Sequence, residues 1–292
     1  MTYLAEHCEN SMKKFLFLSM AVLTVLAAAC NKDDRPRKGK YGVDRVTPMP
    51  EAVDLGIVVD GRKVLWASCN LGASNEYEYG YFLAWGETEE KDDYTWKTYK
   101  HAAGDAKKLT RYCPSAKWDY WGDKTTGPDR EVTLLPSDDA AHVRLGGMWR
   151  CPTRAELLAL LSTLTDPDYS WTIETPLDSK GNEIRDASGK TVVRGWRIVS
   201  KKPDTEGNSI FIPFTGYYSL PVGSEELQHS IYNGNGQVTG LLSSSIYEED
   251  PSIYEEDPSC VYGLGFRSKE NGAFEGHQGR SAGFPVRPVR DQ

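Results

Sequence analysis

From Ala52 onward, turn-forming residues cut the chain into apolar runs of only four to seven residues, and that punctuation restricts it to short strands joined by turns. Val53-Asp54-Leu55-Gly56-Ile57-Val58-Val59 is followed by Asp60-Gly61 and then by Val64-Leu65-Trp66-Ala67. An Asp-Gly pair between two such runs predicts a hairpin, because both residues accept the left-handed backbone that a two-residue turn requires. Lys180-Gly181-Asn182, Ser188-Gly189-Lys190 and Asn233-Gly234-Asn235-Gly236 repeat the pattern.

Only two stretches carry helical signals. In the first, Asp138 to Val143, Ser137 is the expected N-cap and the acidic residues suit the positive end of the helix dipole. In the second, Thr153 and Glu156 form a capping box ahead of Leu157, Leu158, Leu160 and Leu161, whose spacing lays a helix on a sheet.

The N-terminal region has a different character. Lys13 and Lys14 precede an apolar run from Phe15 to Ala29 that ends at Cys30. At about fifteen residues the run falls short of the roughly 20 that cross a bilayer, so it reads as a secretory signal peptide. Residues Met1 to Ser11 lack signal character and read as an upstream extension. Leu26-Ala27-Ala28-Ala29-Cys30 resembles a bacterial lipobox, with Ala27 where leucine is more usual, and this implies a lipid on Cys30. Several acyl chains on one residue hold a protein to a membrane where a single chain does so only marginally. Lys32, Asp33 and Asp34 resemble the surface-export signal of Bacteroidetes lipoproteins, which implies the outer face of the outer membrane. The expected organisation is an extension and signal peptide over 1–29, a lipidated cysteine and Pro/Lys/Arg-rich tether over 30–50, and one domain over 51–292.

A formal charge of -8 argues against nucleic acid as a partner. Beyond Cys30 stand Cys69, Cys113, Cys151 and Cys260, without a CxxC pair or zinc-site spacing. An exported domain permits disulfides among them and equally permits buried thiols. Residues 245–251 and 252–258 repeat Ser-Ile-Tyr-Glu-Glu-Asp-Pro, a unit too short for a solenoid, and read as a lengthened acidic loop whose ligands lack the alternate spacing of a calcium loop.

Ordered blocks along the domain include Val53-Asp54-Leu55-Gly56, Trp66 to Ala73, Tyr81 to Thr88, Asp138 to Ala141, Gly146 to Thr153 with Glu156, Ile210 to Tyr217, and Gly283 to Val289. In that order they resemble the major paralogous domain first described in Fibrobacter succinogenes and abundant in Bacteroidetes lipoproteins. The resemblance implies an α+β, C-type-lectin-like domain with two short helices, a twisted antiparallel sheet, paired terminal strands and long loops. Leu241-Leu242-Ser243-Ser244 departs from the family, which usually has an aromatic pair before the serines. The Glu-Pro-Asn or Gln-Pro-Asp and Trp-Asn-Asp motifs of calcium-dependent lectins are missing.

No HExxH or GxSxG is present, and His101, His142, His229 and His277 are scattered. Ser188-Gly189-Lys190-Thr191 is not the end of a phosphate loop, since Ile184 stands where glycine is required. Cys151-Pro152-Thr153-Arg154 lacks the residue that a sulfatase places between cysteine and proline. No catalytic residue, metal ligand or cofactor is therefore assigned. Trp118, Asp119, Tyr120 and Trp121 are the candidate ligand-binding residues: flat rings stack on the apolar faces of sugars and carboxylates accept their hydroxyl hydrogen bonds. Trp66, Trp85 and Trp149 are assigned to the core. The expected function is a non-catalytic, membrane-anchored surface lipoprotein that binds a glycan or an extracellular protein. A structural or adhesive component associated with fimbriae, and an envelope enzyme, are the alternatives.

Overall fold

The computed structural model describes residues 47–106, 108–113, 131–220, 231–232, 236–246, 259–268 and 272–292. The Asp60-Gly61 hairpin forms as its sequence dictates: β1 (Ala52–Val59) pairs antiparallel with β2 (Arg62–Ala67), and the two turn residues take φ of 51° and 76°. Gly56, at φ 71°, bulges β1, and its N–H donates to Asp54 Oδ1 at 2.7 Å. The turns at Gly181 and Gly189 also form, closed by isolated bridges Leu177–Glu183 and Arg185–Val192 rather than by strands. Of the fourth expected turn, residues 233–235 lie outside the described residues.

The remaining strands are short. They are β3 (Phe82–Leu83), β4 (Tyr169–Glu174), β5 (Gly195–Ser200), β6 (Ser209–Pro213), β7 (Tyr218–Ser219), β8 (Ile231–Tyr232), β9 (Val238–Ile246), β10 (Cys260–Arg267), β11 (Ala273–Gly279), β12 (Phe284–Pro285) and β13 (Val289–Asp291). Three sheets have three strands, in the orders β1-β2-β13, β4-β5-β6 and β11-β10-β9, and two sheets pair β3 with β12 and β7 with β8. Every pairing is antiparallel.

Two α-helices stand among the described residues. In α1 (Ala140–Leu145) the cap is Asp139, not Ser137: its side chain accepts from the N–H groups of Ala141 and His142. In α2 (Arg154–Ser162) the capping box of Thr153 and Glu156 is present as expected. Leu157 and Leu160 bury against β1, β9 and β10, joining Leu55, Trp66, Ile198, Ile210, Phe214, Leu264 and Phe266 in one core shared by the three larger sheets. Trp66, Trp85 and Trp149 are buried as assigned.

The α+β, C-type-lectin-like class does not hold. Of the described residues 37% are in strands and bridges and 9% in helix, and five small sheets replace the single twisted sheet. The physical reason is length: helices of six and nine residues make about two turns each and cannot form a layer of their own, while glycines and turn pairs divide the sheet area. The first and last strands share a sheet, yet β2 lies between them. All four domain cysteines are thiols; Cys69, Cys113 and Cys151 are buried and Cys260 half-buried.

Candidate functional site

Trp118, Asp119, Tyr120 and Trp121 lie outside the described residues, as do Cys30, Lys32, Asp33 and Asp34. The chain on either side of residues 114–130 is nevertheless described, and it is fixed by a buried ionic node. Asp138, only 2% exposed, accepts from Lys100 Nζ at 2.9 Å through Oδ1, and from Arg111 and the Tyr112 hydroxyl (2.7 Å) through Oδ2. The Tyr112 hydroxyl in turn accepts from the Leu135 N–H at 3.1 Å, and its ring meets Trp85 edge-on at 4.9 Å. Arg280, fully buried, donates to the carbonyls of Arg111 and Tyr112 at 3.2 and 2.6 Å. Tyr112 holds a positive φ of 56°, so these contacts also hold a backbone conformation that costs about 1 kcal/mol or more.

Burial by itself would raise the Asp138 carboxyl, but the hydrogen bonds from Lys100 and Tyr112 and the nearby positive charge outweigh it and leave its pKa below the ordinary carboxylate range. Burial lowers the His101 pKa, and its Nε2 lies 2.9 Å from the Gly86 carbonyl. Both carboxylate oxygens of Asp138 are thus engaged in holding structure. The adjoining small cavity, between Trp85, Glu87, Asp138, Cys151 and Phe284, measures about 20 Å³, room for roughly one water. An open groove of about 320 Å³ runs over Leu134, Pro136, His142, Met148 and Trp149. No cluster of three metal-ligating side chains occurs among the described residues.

A second constellation has the chemistry of a ligand surface. Phe82 on β3, Tyr218 on β7 and Tyr232 on β8 converge with Tyr94: Phe82 meets Tyr218 edge-on at 5.2 Å and Tyr232 at 6.1 Å, Tyr218 stacks on Tyr94 at 5.1 Å, and Tyr218 and Tyr232 lie 5.1 Å apart. Tyr94 is buried, Phe82 and Tyr218 are half-buried, and Tyr232 is 41% exposed, so the cluster runs from core to solvent. The Tyr232 hydroxyl is tied to the Thr215 carbonyl, which fixes the ring. Burial, then the negative charge of Asp186, push its pKa up to about 12. The same carboxylate and Tyr232 act electrostatically on Tyr79, whose buried hydroxyl has no hydrogen-bond partner among the described residues. Burial raises the Tyr79 pKa well above the ordinary phenol range.

The sequence reading placed its candidate on the Trp118 segment and missed this cluster, whose members are spread from residue 79 to residue 232. They meet only because β7 pairs with β8 and bridges to Gly283 beside β12, which pairs with β3. The one local signal is the Tyr217-Tyr218 pair. Comparison with protein-family models, curated proteins and solved structures gives no match.

Proposed function

We propose that this chain is a non-catalytic lipoprotein of the bacterial outer surface, anchored through a lipid on Cys30, exported by Lys32-Asp33-Asp34, and belonging to the family its ordered blocks resemble. Its domain binds an extracellular glycan at Phe82, Tyr218 and Tyr232. The observation that carries this reading is the tyrosine cluster: a ring at Tyr232 that is exposed yet fixed in place, packed against the half-buried rings of Phe82 and Tyr218. Pre-positioned rings offer a flat apolar face to a sugar at little entropic cost. The engaged state of Asp138 and His101 supports a scaffold role for this buried ionic node rather than acid–base chemistry.

The test is a glycan array probed with the full chain, with and without calcium, beside Tyr232→Ala. Saturable binding that disappears in a variant with an unchanged unfolding midpoint supports the reading. Silence across the array removes the glycan and leaves an extracellular protein as ligand. For the anchor, Cys30→Ser should move the protein from the membrane to the soluble fraction, and protease applied to intact cells should digest the unmodified protein.

A further inference from the structure

A strand at the margin of a sheet leaves alternate backbone groups without a ladder partner, and unless they are covered such groups invite another strand. Several margins of this fold are covered. Along β1, Lys202 Nζ bonds the Gly56 carbonyl at 2.9 Å and Asn208 the Asp54 carbonyl at 2.8 Å. Arg287 bonds the Phe211 carbonyl of β6 at 2.7 Å, and the N–H groups of Ser244 and Ile246 on β9 donate to the carbonyls of Pro152 and Val132 at 2.7 and 2.9 Å. Strand β4, Tyr169-Ser170-Trp171-Thr172-Ile173-Glu174, is treated differently. It is the outer strand of the sheet β4-β5-β6, contains no proline, lysine or glycine, and pairs with β5 in unbroken register from Tyr169–Ser200 to Glu174–Gly195.

The ladder decides which groups of β4 remain for a partner. The Lys201 N–H donates to the Asp168 carbonyl at 2.7 Å, in register with the strand pairs that follow, so the even-numbered residues bond inward to β5. Inward and outward groups alternate in an antiparallel ladder, and those of Tyr169, Trp171 and Ile173 therefore turn outward. Tyr169 is already engaged: its N–H donates to the Asp166 carbonyl at 3.1 Å, and its carbonyl accepts from Lys201 Nζ at 2.8 Å. The N–H and C=O groups of Trp171 and Ile173 meet no partner among the described residues. Their side chains are held firmly, since Trp171 Nε1 donates to Thr163 Oγ1 at 2.9 Å, its ring lies against Trp196 and Phe266, and Ile173 packs on the same core.

A second copy of the strand fits these groups in one register. Antiparallel pairing about a two-fold axis always sets outward residues opposite outward residues. With the axis at Trp171, Ile173 faces Tyr169, whose groups are engaged; with the axis at Ile173, Trp171 faces Thr175, beyond the end of the strand. With the axis at Thr172, Trp171 of each copy faces Ile173 of the other, and every free N–H and C=O of both residues is bonded. The side chains agree with that register. Trp171 opposite Ile173 is an aromatic and β-branched pair, the exposed Thr172 meets its own copy, and Ser170 meets Glu174, so no like charges face each other.

We propose that β4 is a self-association edge: two copies of this domain join their β4 strands into one six-stranded antiparallel sheet about a two-fold axis at Thr172, with Trp171 of each copy opposite Ile173 of the other. Such an isologous contact closes on itself and yields a dimer, not a filament. The contact is short, so the dimer depends on concentration and is best captured covalently. The glycan reading is independent of it.

Single cysteines introduced into the full chain read the register directly. At the axis the two residues at position 172 form a cross-strand pair within disulfide reach, whereas residues 170 and 174 each lie about 13 Å along the strand from their own copy and opposite each other. A mild oxidant, which takes two electrons and two protons from the paired thiols, should give a covalent dimer on a non-reducing gel with Thr172→Cys, and far less with Ser170→Cys, Glu174→Cys or the unmodified chain. An equal mixture of Ser170→Cys and Glu174→Cys should recover the dimer. Adding Ser170→Glu to Thr172→Cys sets carboxylates against each other twice and should cut the yield several-fold, while Ser170→Lys should not. No dimer with Thr172→Cys, equal yields from the three single cysteines, or no gain on mixing the outer two would overturn the proposal.

Discussion

Arg287 offers a test of what holds the C-terminal strap in place. Its guanidinium is 1% exposed and has no carboxylate partner among the described residues; Nε donates to Asn70 Oδ1 at 2.9 Å, and the two terminal nitrogens to the carbonyls of Ala67 (2.9 Å) and Phe211 (2.7 Å). One side chain therefore joins the end of β2, the loop after it and β6. Burial pulls its pKa down, a sign that the charge is costly where it sits. Arg287→Met keeps much of the volume and removes that cost, but it leaves three buried acceptors without a donor, each worth about 1–3 kcal/mol. The expected net loss is at least about 3 kcal/mol, a large part of the roughly 5–15 kcal/mol that holds a domain together. For a domain of this size that lowers Tm by about 6–12 °C. Urea unfolding followed by tryptophan fluorescence would measure it, with Asn70→Ala as the second arm of a double-mutant cycle. A loss below about 1 kcal/mol for Arg287→Met, with an unchanged m-value, would refute the argument that these bonds outweigh the buried charge.

Because the folded-state pKa of Asp138 is depressed, the stability it contributes is fully present above the unfolded carboxylate value near 4 and is lost as pH falls through the lower folded value. The stability gap between the unmodified chain and Asp138→Asn should accordingly narrow on acidification from pH 6, as read by unfolding midpoints, and a constant gap would contradict the assignment. Thr153→Ala should cost about 1 kcal/mol by removing the side-chain acceptor for the Glu156 N–H, measured in the same assay. Gly195→Ala places a Cβ 2.3 Å from the Ile212 carbonyl oxygen and should lose about 3 kcal/mol, whereas Gly189→Ala meets nothing within 4 Å and carries only the strain of its φ of 70°, about 1 kcal/mol. Equal effects at the two glycines would show that close packing at β5 and β6 is not what requires glycine.

What the sequence conveyed about the fold is what is chemically local. Asp60-Gly61 contains its own turn, and Thr153 with Glu156 contains its own cap, so both form where the residues place them. Ser137 is not the cap because the helix begins only at Ala140, and Asp139, immediately before it, reaches the N–H groups of Ala141 and His142. The division into five small sheets was not legible, since it depends on which distant strands pair: β13 with β2, and β12 with β3, across some 200 residues of chain.

The same distinction separates the tyrosine cluster from the tryptophan segment. Trp118 and Trp121 drew attention because they are neighbours in sequence, while Phe82, Tyr218 and Tyr232 become neighbours only when β3, β7 and β8 are in place. Arg280 and Arg287 show how such long-range order is held without a large helix layer. Each sits in the last strap of the chain and reaches back to backbone carbonyls, Arg280 at residues 111 and 112 and Arg287 at residues 67 and 211. A carbonyl is an acceptor whatever the residue, so these clamps leave no partner pattern in the sequence; the only trace is a charged residue amid an apolar run, Gly283-Phe284-Pro285-Val286-Arg287-Pro288-Val289. Where small sheets must be joined edge to loop, a planar cation with five donors can satisfy several carbonyls at once, which an aliphatic side chain of the same volume cannot do.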